Sequence, residues 1–299
     1  MRLIPPTRRF CAAAVAAIAS AAIAAGCGSM VPASDQLLVA TGGPLQVTDR
    51  SGSLVAFDGP ADPVVAVTAS AGHVVVATAG GLLTASDNAG GPPRAWRALA
   101  IPTSLGEDVP LMALSPLGSE LALAVGDPQA ERFDLVILDV ASGTSRTIAV
   151  RRGLNGPPSW LGESAVAIDV IGPDGNSEIA TIDTGRGAIT DASVPAGLVS
   201  ATADGQRVAV DDPSGDVLIG DLATWRNGSL GSMTRVHGPA GAGVESLTIS
   251  PEGGRLAVAR RDDSGVASIE LFRELEQGWS SVRTLTVPGD GPVSVAWLR

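Results

Sequence analysis

The feature that most constrains the fold is a short segment that recurs roughly every 44 residues. Each copy consists of an apolar run, a turn that ends in glycine, and a second apolar run that contains (Leu/Val)-Ala, as in residues 114–122, 202–209 and 250–257. The turns of these copies and of two weaker ones contain Gly72, Gly118, Gly162, Gly205 and Gly253, which are 46, 44, 43 and 48 residues apart. Such a period indicates units that stack side by side, because one unit is too small to bury a core alone.

A second marker follows the same period. An aspartate and a tight turn close the third strand of several units, at Asp49, Asp139 and Asp183, and Asp87 and Asp221 occupy the matching places in two others. An aspartate at the start of a turn accepts hydrogen bonds from the backbone N–H groups that follow it. We therefore interpret these residues as turn formers and not as catalytic groups.

Residues 244–287 show what one unit contains. Four short apolar runs, each with alternating or small apolar residues, are separated by polar turns. From residue 36 onward no segment of ten or more residues keeps the periodicity of a helix, so the pattern is all-β. Four strands in a period of 40 to 50 residues are the signature of a β-propeller.

The number of units follows from where they begin. Five units start near Val64, Leu111, Pro158, Leu198 and Val244. Three further strands lie within residues 37–57, and one isolated strand lies within residues 293–298. Pairing the C-terminal strand with the N-terminal three completes a sixth unit and covers strand edges that would otherwise invite aggregation. The sequence thus predicts a six-bladed β-propeller over residues 36–299.

The Ser-Pro-x-Gly turn at residues 115–118, with a related turn at residues 250–253, resembles the repeat of TolB-type and WD-like propellers. The Trp-Asp ending of true WD repeats is absent. The chain is also similar to the propeller half of the actinobacterial lipoprotein LpqB. This resemblance implies a binding or scaffolding role and names no ligand.

The N-terminus resembles a bacterial lipoprotein signal peptide. A basic start is followed by an uncharged apolar run, residues 11–25, and then by Ala-Ala-Gly-Cys27. The resemblance implies a signal-peptide helix in residues 1–26, a lipid on Cys27, a tether in residues 27–35 and a place on the extracytoplasmic side of the cell membrane. A plain secretory signal or an uncleaved anchor helix is the alternative. Arginine as the only basic residue besides histidine indicates a GC-rich, actinobacterial genome.

Charge and titratable residues limit the chemistry. The net charge of −11 disfavours nucleic acid as a partner. His73 and His237 lie in loops that are not equivalent, whereas a metal centre or an acid–base pair needs converging groups. We therefore predict no metal, no cofactor and no assembled catalytic site.

Acidic residues accumulate in the loops between second and third strands, which share one face of a propeller. This predicted docking face for a basic partner or a divalent cation consists of Asp127, Glu131, Asp174, Asp211, Asp212, Asp262 and Asp263. The alternative is that these loops are polar only because they are hairpin tips.

The tryptophans fall into two groups. Trp160 and Trp297 occupy equivalent first-strand positions and are expected to pack between units. Trp225 and Trp279 fall in connections between third and fourth strands, where they are either exposed anchors for a partner or half-buried packing residues.

Three functions remain open at this stage. The leading hypothesis is a monomeric, lipid-anchored scaffold of the cell envelope that binds a protein or another envelope component. The second is an enzyme, a lactonase-like hydrolase or a lyase, with its site in the central channel. The third is a receptor for a small molecule or sugar at the channel mouth.

Overall fold

The computed structural model describes residues 36–49, 51–78, 80–86, 96–100, 111–127, 132–154, 156–172, 175, 177–192, 197–228, 230–239 and 242–298. Within these ranges the chain is almost entirely β, with one short helix, α1 (Leu222–Arg226), and one 3₁₀ turn (Leu230–Ser232). None of the helical segments in these ranges combines the length and apolarity needed to span a bilayer. The predicted signal peptide, the tether and Cys27 lie outside the described residues.

The strands are numbered along the chain. The first seven are β1 (Gln36–Ala40), β2 (Gln46–Thr48), β3 (Leu54–Ala56), β4 (Val64–Ser70), β5 (His73–Thr78), β6 (Gly81–Ser86) and β7 (Arg97–Ala98). The next eight are β8 (Leu111–Leu114), β9 (Glu120–Asp127), β10 (Arg132–Asp139), β11 (Ser145–Leu154), β12 (Ser159–Trp160), β13 (Ala165–Ile171), β14 (Ser177–Asp183) and β15 (Ile189–Ala192). The last nine are β16 (Val199–Ala201), β17 (Arg207–Asp211), β18 (Val217–Asp221), β19 (Thr234–Val236), β20 (Gly243–Ile249), β21 (Arg255–Arg261), β22 (Ala267–Leu275), β23 (Gly278–Val287) and β24 (Ser294–Leu298).

These strands form antiparallel sets of four, which we call sets A to F. Set A has the order β24-β1-β2-β3, and sets B, E and F are β4-β5-β6-β7, β16-β17-β18-β19 and β20-β21-β22-β23. Set C (β8 to β11) and set D (β12 to β15) belong to one eight-stranded sheet, because β11 and β13 pair at Gly153–Ile171 and Leu154–Val170. The all-β prediction is therefore confirmed for the described part of the chain.

The recurrent glycine turn has one geometry throughout. All five marker glycines have positive φ angles between 68° and 81°, a region that glycine enters without steric cost. In the clearest copies the turn begins at a buried hydroxyl: Ser115 Oγ accepts from the Glu120 N–H (3.2 Å) and Ser250 Oγ from the Arg255 N–H (3.1 Å). The sequence marker is thus a conformational requirement of each unit.

The aspartate marker also has the predicted role. The carboxylate of Asp49 accepts from the Ser53 N–H (2.8 Å), that of Asp139 from the Ser142 N–H (2.7 Å), and that of Asp183 from two backbone N–H groups. Hydrogen bonds from the following serines lower the pKa of Asp49 and of Asp139, since they favour the charged form. Asp221 instead precedes α1 and makes no capping bond, and Asp87 lies outside the described residues.

The C-terminal strand joins the N-terminal strands, as the sequence predicts. β24 pairs with β1 over five residues, from Gln36 opposite Leu298 to Ala40 opposite Ser294. Val295, Ala296, Trp297 and Leu298 are buried there. Set A therefore draws its first strand from the far end of the described chain.

The core lies between the sets. Within the described residues, buried apolar side chains form six clusters, and each cluster joins two sets: A with B, B with C, C with D, D with E, E with F, and F with A. Each sheet is consequently covered on both faces, which agrees with the continuous apolar runs of its inner strands.

Candidate functional site

A narrow cavity of about 160 Å³ is lined by the first strands of all six sets and by the turns that follow them. These strands are β24, β4, β8, β12, β16 and β20, so each set contributes equivalent positions to one wall. We call this cavity the central channel. It is the place where a propeller enzyme or small-molecule receptor would carry its site.

Serine and threonine hydroxyls fasten neighbouring first strands to each other along this channel. In each case a backbone N–H donates to a hydroxyl on the adjacent set: Leu114 to Thr68 (3.0 Å), Ile249 to Ser200 (3.0 Å), Val295 to Ser246 (3.3 Å) and Val67 to Ser294 (3.2 Å). The polar side chains of the channel wall thus serve the packing of one set against the next.

The described side chains that line the channel are uncharged. Besides serine and threonine, they are alanine, proline, valine, leucine, isoleucine, methionine and tryptophan. General acid–base catalysis needs titratable groups within hydrogen-bond reach of the substrate. The described lining residues do not supply them.

Trp160 and Trp297 pack between sets, as predicted. The indole N–H of Trp160 donates to the carbonyl of Ala113 (2.9 Å), and that of Trp297 donates to the carbonyl of Thr248 (3.2 Å). Both side chains are buried and line the channel. A polar partner for each indole nitrogen allows these large rings to be buried without loss of a hydrogen bond.

The other two tryptophans differ from each other. Trp225 lies on α1, fully buried, and its indole nitrogen has no hydrogen-bond partner, so it is a packing residue and not an exposed anchor. Trp279 is half-buried at the start of β23, with the Arg207 guanidinium 5.6 Å from its ring centroid. Arg207 also forms a bidentate pair with Glu274. This contact attaches set F to set E.

Asp211 is the most perturbed acid of the predicted docking face. It ends β17, is partly buried, and accepts a hydrogen bond from the backbone N–H of Leu198. Burial raises the pKa of Asp211 to about 6, and the Leu198 N–H and the Arg260 guanidinium oppose that rise. The Asp211 carboxylate is therefore partly buried against the backbone at Leu198.

Asp212 and Asp262 occupy equivalent turns and accept local hydrogen bonds. Asp212 accepts from the Ser214 N–H (2.9 Å), and Asp262 accepts from the Ser264 and Val266 N–H groups (2.9 Å each). Hydrogen bonds from the Ser264 hydroxyl and the Val266 N–H lower the pKa of Asp262. Asp263, next to it, is exposed. Of the four acids with described side chains, Asp263 is thus the one that faces solvent without such a turn role.

The remaining members of the predicted face cannot be placed in the same way. Asp127 is the last residue of β9, but its side chain lies outside the described part. Glu131 and Asp174 lie outside the described residues altogether.

Arginines lie among the acids of this face. Arg235 contacts both Asp212 and Asp216 at 2.9 Å. Arg261 forms a bidentate pair with Glu245, and Arg260, only 1% exposed, donates to Glu270 (3.2 Å) and to the Gly215 carbonyl (2.5 Å). The potential of this face is therefore weaker than its acid count implies. Strand order brings these pairs together, and no local motif marks them.

The histidines lie apart, as their loops indicate. His73 begins β5 and packs beside Gly118, whereas His237 Nδ1 is 3.0 Å from an Asp216 carboxylate oxygen. Among the residues with described side chains, no three His, Cys, Asp or Glu groups lie together as a metal site would require.

The raised pKa of Asp211 makes a prediction about stability. Since its folded-state pKa of about 6 exceeds the unfolded value of about 3.8, ionisation destabilises the fold as pH rises between these values. Asp211→Asn should therefore be more stable than the unmodified protein at pH 7.5, by about 3 kcal/mol, and within about 1 kcal/mol of it at pH 4. Urea unfolding at both pH values measures this difference.

The matched control for this experiment is Asp263→Asn, which removes the same charge from an exposed position. Its effect on the free energy of unfolding should be small and nearly the same at both pH values. An Asp211→Asn variant that is less stable than the unmodified protein at pH 7.5 would show that the carboxylate stabilises the fold.

Comparison with known proteins places the fold. No protein-family model and no curated protein sequence matches the chain. Among solved structures, TolB from Acinetobacter baumannii is similar with a TM-score of 0.64 and 15% identity, over 88% of this chain and 67% of that one.

Two further solved structures are also similar to this chain. A chain of a mitotic checkpoint complex has a TM-score of 0.53 and 16% identity, over 81% of this chain and 83% of that one. The β-propeller domain of Myceliophteria thermophila Cps50 has a TM-score of 0.51 and 12% identity, over 88% and 87%. Identities this low establish the fold alone: the described chain has the architecture of a TolB-like and WD-like β-propeller.

Proposed function

We propose that this protein is a six-bladed β-propeller, held at the extracytoplasmic side of the cell membrane by a lipid on Cys27, that binds a protein or another envelope component. Sets A to F would be the six blades. The six core clusters support this count, because they join each set to the next and set F back to set A. The pairing of β24 with β1 would then be the seam of the ring.

The composition of the central channel is the observation that carries the binding role. The described side chains of its wall are uncharged, and hydroxyls that could serve a ligand accept hydrogen bonds between neighbouring strands. These described residues offer an enzyme neither an acid nor a base. Recognition falls instead to the faces and sides of the propeller, where loops and outer strands differ from set to set.

The proposed anchor would join the propeller at one end of set A. Gln36 begins β1 opposite Leu298, at the same end of set A as the glycine turns occupy in the other sets. Eight residues separate Cys27 from Gln36, and a fully extended chain of that length spans about 30 Å at most.

The similarity to a chain of a mitotic checkpoint complex adds support of a general kind, since that propeller is part of a protein assembly. Propellers present variable loops on a rigid framework. This arrangement suits the recognition of different proteins better than it suits one reaction common to the whole fold. We propose that the domain itself acts as a monomer.

The anchoring and the binding can be tested in one experiment. The full chain and a Cys27→Ser variant are expressed in an actinobacterial host, fed an alkyne-tagged fatty acid, and crosslinked in native membranes before mass spectrometry. We expect label and membrane fractionation for the full chain and their loss in the variant, together with a small set of specific crosslinked proteins. Equal labelling of both chains would refute the anchor. Capture of abundant membrane proteins alone would refute the binding role.

A further inference from the structure

An open groove of about 460 Å³ runs along the outside of the molecule between set F and set A. Its walls are the outermost strands of the two sets, β23 and β3, with Leu285 and Leu54 among the lining residues. Leu285 is buried and Leu54 half-buried, so the groove has an apolar base. The sequence pattern did not indicate this groove, because its walls are 230 residues apart along the chain.

The groove exposes backbone hydrogen-bonding groups. Within the described residues, β23 pairs with β22 on one side and with no strand on the other, and β3 is likewise the last strand of set A. In an antiparallel strand, alternate residues direct their N–H and C=O groups to each side. Residues 283–286 of β23 line the groove, after the bulge that interrupts the β22–β23 register. A regular strand edge therefore borders an open space that can admit one more extended segment.

Among the described residues that line the groove, Arg283 is the charged one, and its guanidinium donates to the Ser51 carbonyl across the gap. Leu271 and Leu285 lie on the side of set F that packs against set A. Arg283 pairs with Leu271 and is two positions from Leu285, so it lies on that side too, because paired residues and alternate residues share a sheet face.

The side-chain oxygen of Gln46 also favours a bound segment in the groove. Gln46 lines the groove, and its Oε1 atom is buried with no hydrogen-bond partner among the described residues. A buried acceptor without a donor costs about 1 to 3 kcal/mol, so a bound N–H donor would remove an existing penalty.

We propose that this groove binds an extended, acidic segment of a partner protein, which adds as a fifth strand to the edge of β23 and places a carboxylate beside Arg283. Main-chain hydrogen bonds to β23 supply affinity, the apolar base takes alternate side chains, and Arg283 selects acidic sequences. This proposal deepens the binding role proposed above and rests on it. It places partner recognition on the side of the propeller and not on the acidic face.

The test uses a heptapeptide that alternates glutamate with valine, and a second peptide in which lysine replaces glutamate. Binding to the intact propeller is measured by calorimetry, and backbone amide exchange is followed by mass spectrometry. We expect the acidic peptide to bind and to protect amides in residues 283–287. Arg283→Glu should weaken this binding at least tenfold. The lysine peptide should bind in the groove of the unmodified propeller no more tightly than it binds to surfaces outside the groove.

The matched control is Arg97→Glu. Arg97 lies on the outermost strand of set B and donates across to the Val140 carbonyl of set C (2.7 Å), as Arg283 does from set F to set A. This variant should bind the peptide normally and melt close to the Arg283→Glu variant. Equal loss of binding in both variants, or protection confined to other strands, would overturn the groove as the site. Specific crosslinks that persist in Arg283→Glu would leave the general binding role intact while refuting this groove.

Discussion

A chain that lacks residues 292–299 is expected to lose its cooperative unfolding transition. These residues include β24, whose Val295, Ala296, Trp297 and Leu298 are buried between sets A, B and F. Truncating one buried Trp to alanine costs about 3 to 5 kcal/mol, and a domain has about 5 to 15 kcal/mol in total. Loss of the whole strand also uncovers the edge of β1. Thermal unfolding followed by circular dichroism measures the result.

A control separates the strand itself from damage to the rest of the chain. A synthetic peptide of residues 292–299, added to the truncated protein, should restore the transition, whereas a scrambled peptide of the same composition should not. The peptide can pair with β1 over the same five positions that β24 occupies. An unchanged melting temperature after truncation would contradict the seam between the two ends of the chain.

The repeat made much of this fold predictable, because it records a local requirement. Five of the six sets have a glycine at positive φ in the turn after the first strand, and Gly118, Gly205 and Gly253 each follow a buried hydroxyl, so these residues recur with the period of the strands. The C-terminal strand was identifiable for the same reason, since its tryptophan matches Trp160 in an equivalent first strand. Local geometry that repeats leaves a periodic mark in the sequence.

The candidate sites were less predictable, because they depend on neighbours that are distant along the chain. The acidic loops predicted a docking face that stays a prediction, and the partner that offsets the charge of Asp212, Arg235, comes from another strand. The pKa of Asp211 depends on the N–H of Leu198 and on Arg260 of the next set, which oppose the rise that burial causes. The side groove between β3 and β23 exists only once set F meets set A. No residue spacing in the sequence predicts these contacts between distant segments.

Gly205→Ala is expected to destabilise the protein by about 3 kcal/mol or more and to lower its melting temperature by roughly 10 °C. Two costs add at this position. Gly205 has a φ of +68°, where an alanine is strained by about 1 kcal/mol. A Cβ there would also lie 2.7 Å from the backbone nitrogen of Gly162 and 2.8 Å from the carbonyl carbon of Leu161. Those atoms belong to the glycine turn of the neighbouring set, so the backbone of set D must move.

The companion variant Gly143→Ala isolates the second cost. Gly143 has nearly the same φ, +73°, but a Cβ there meets no atom within 4 Å. It should lose only about 1 kcal/mol, the conformational part. The excess loss at Gly205 then measures how closely the turns of sets D and E are packed. Equal losses in the two variants would mean that these two turns can move apart without cost, which would contradict the close packing of set D on set E.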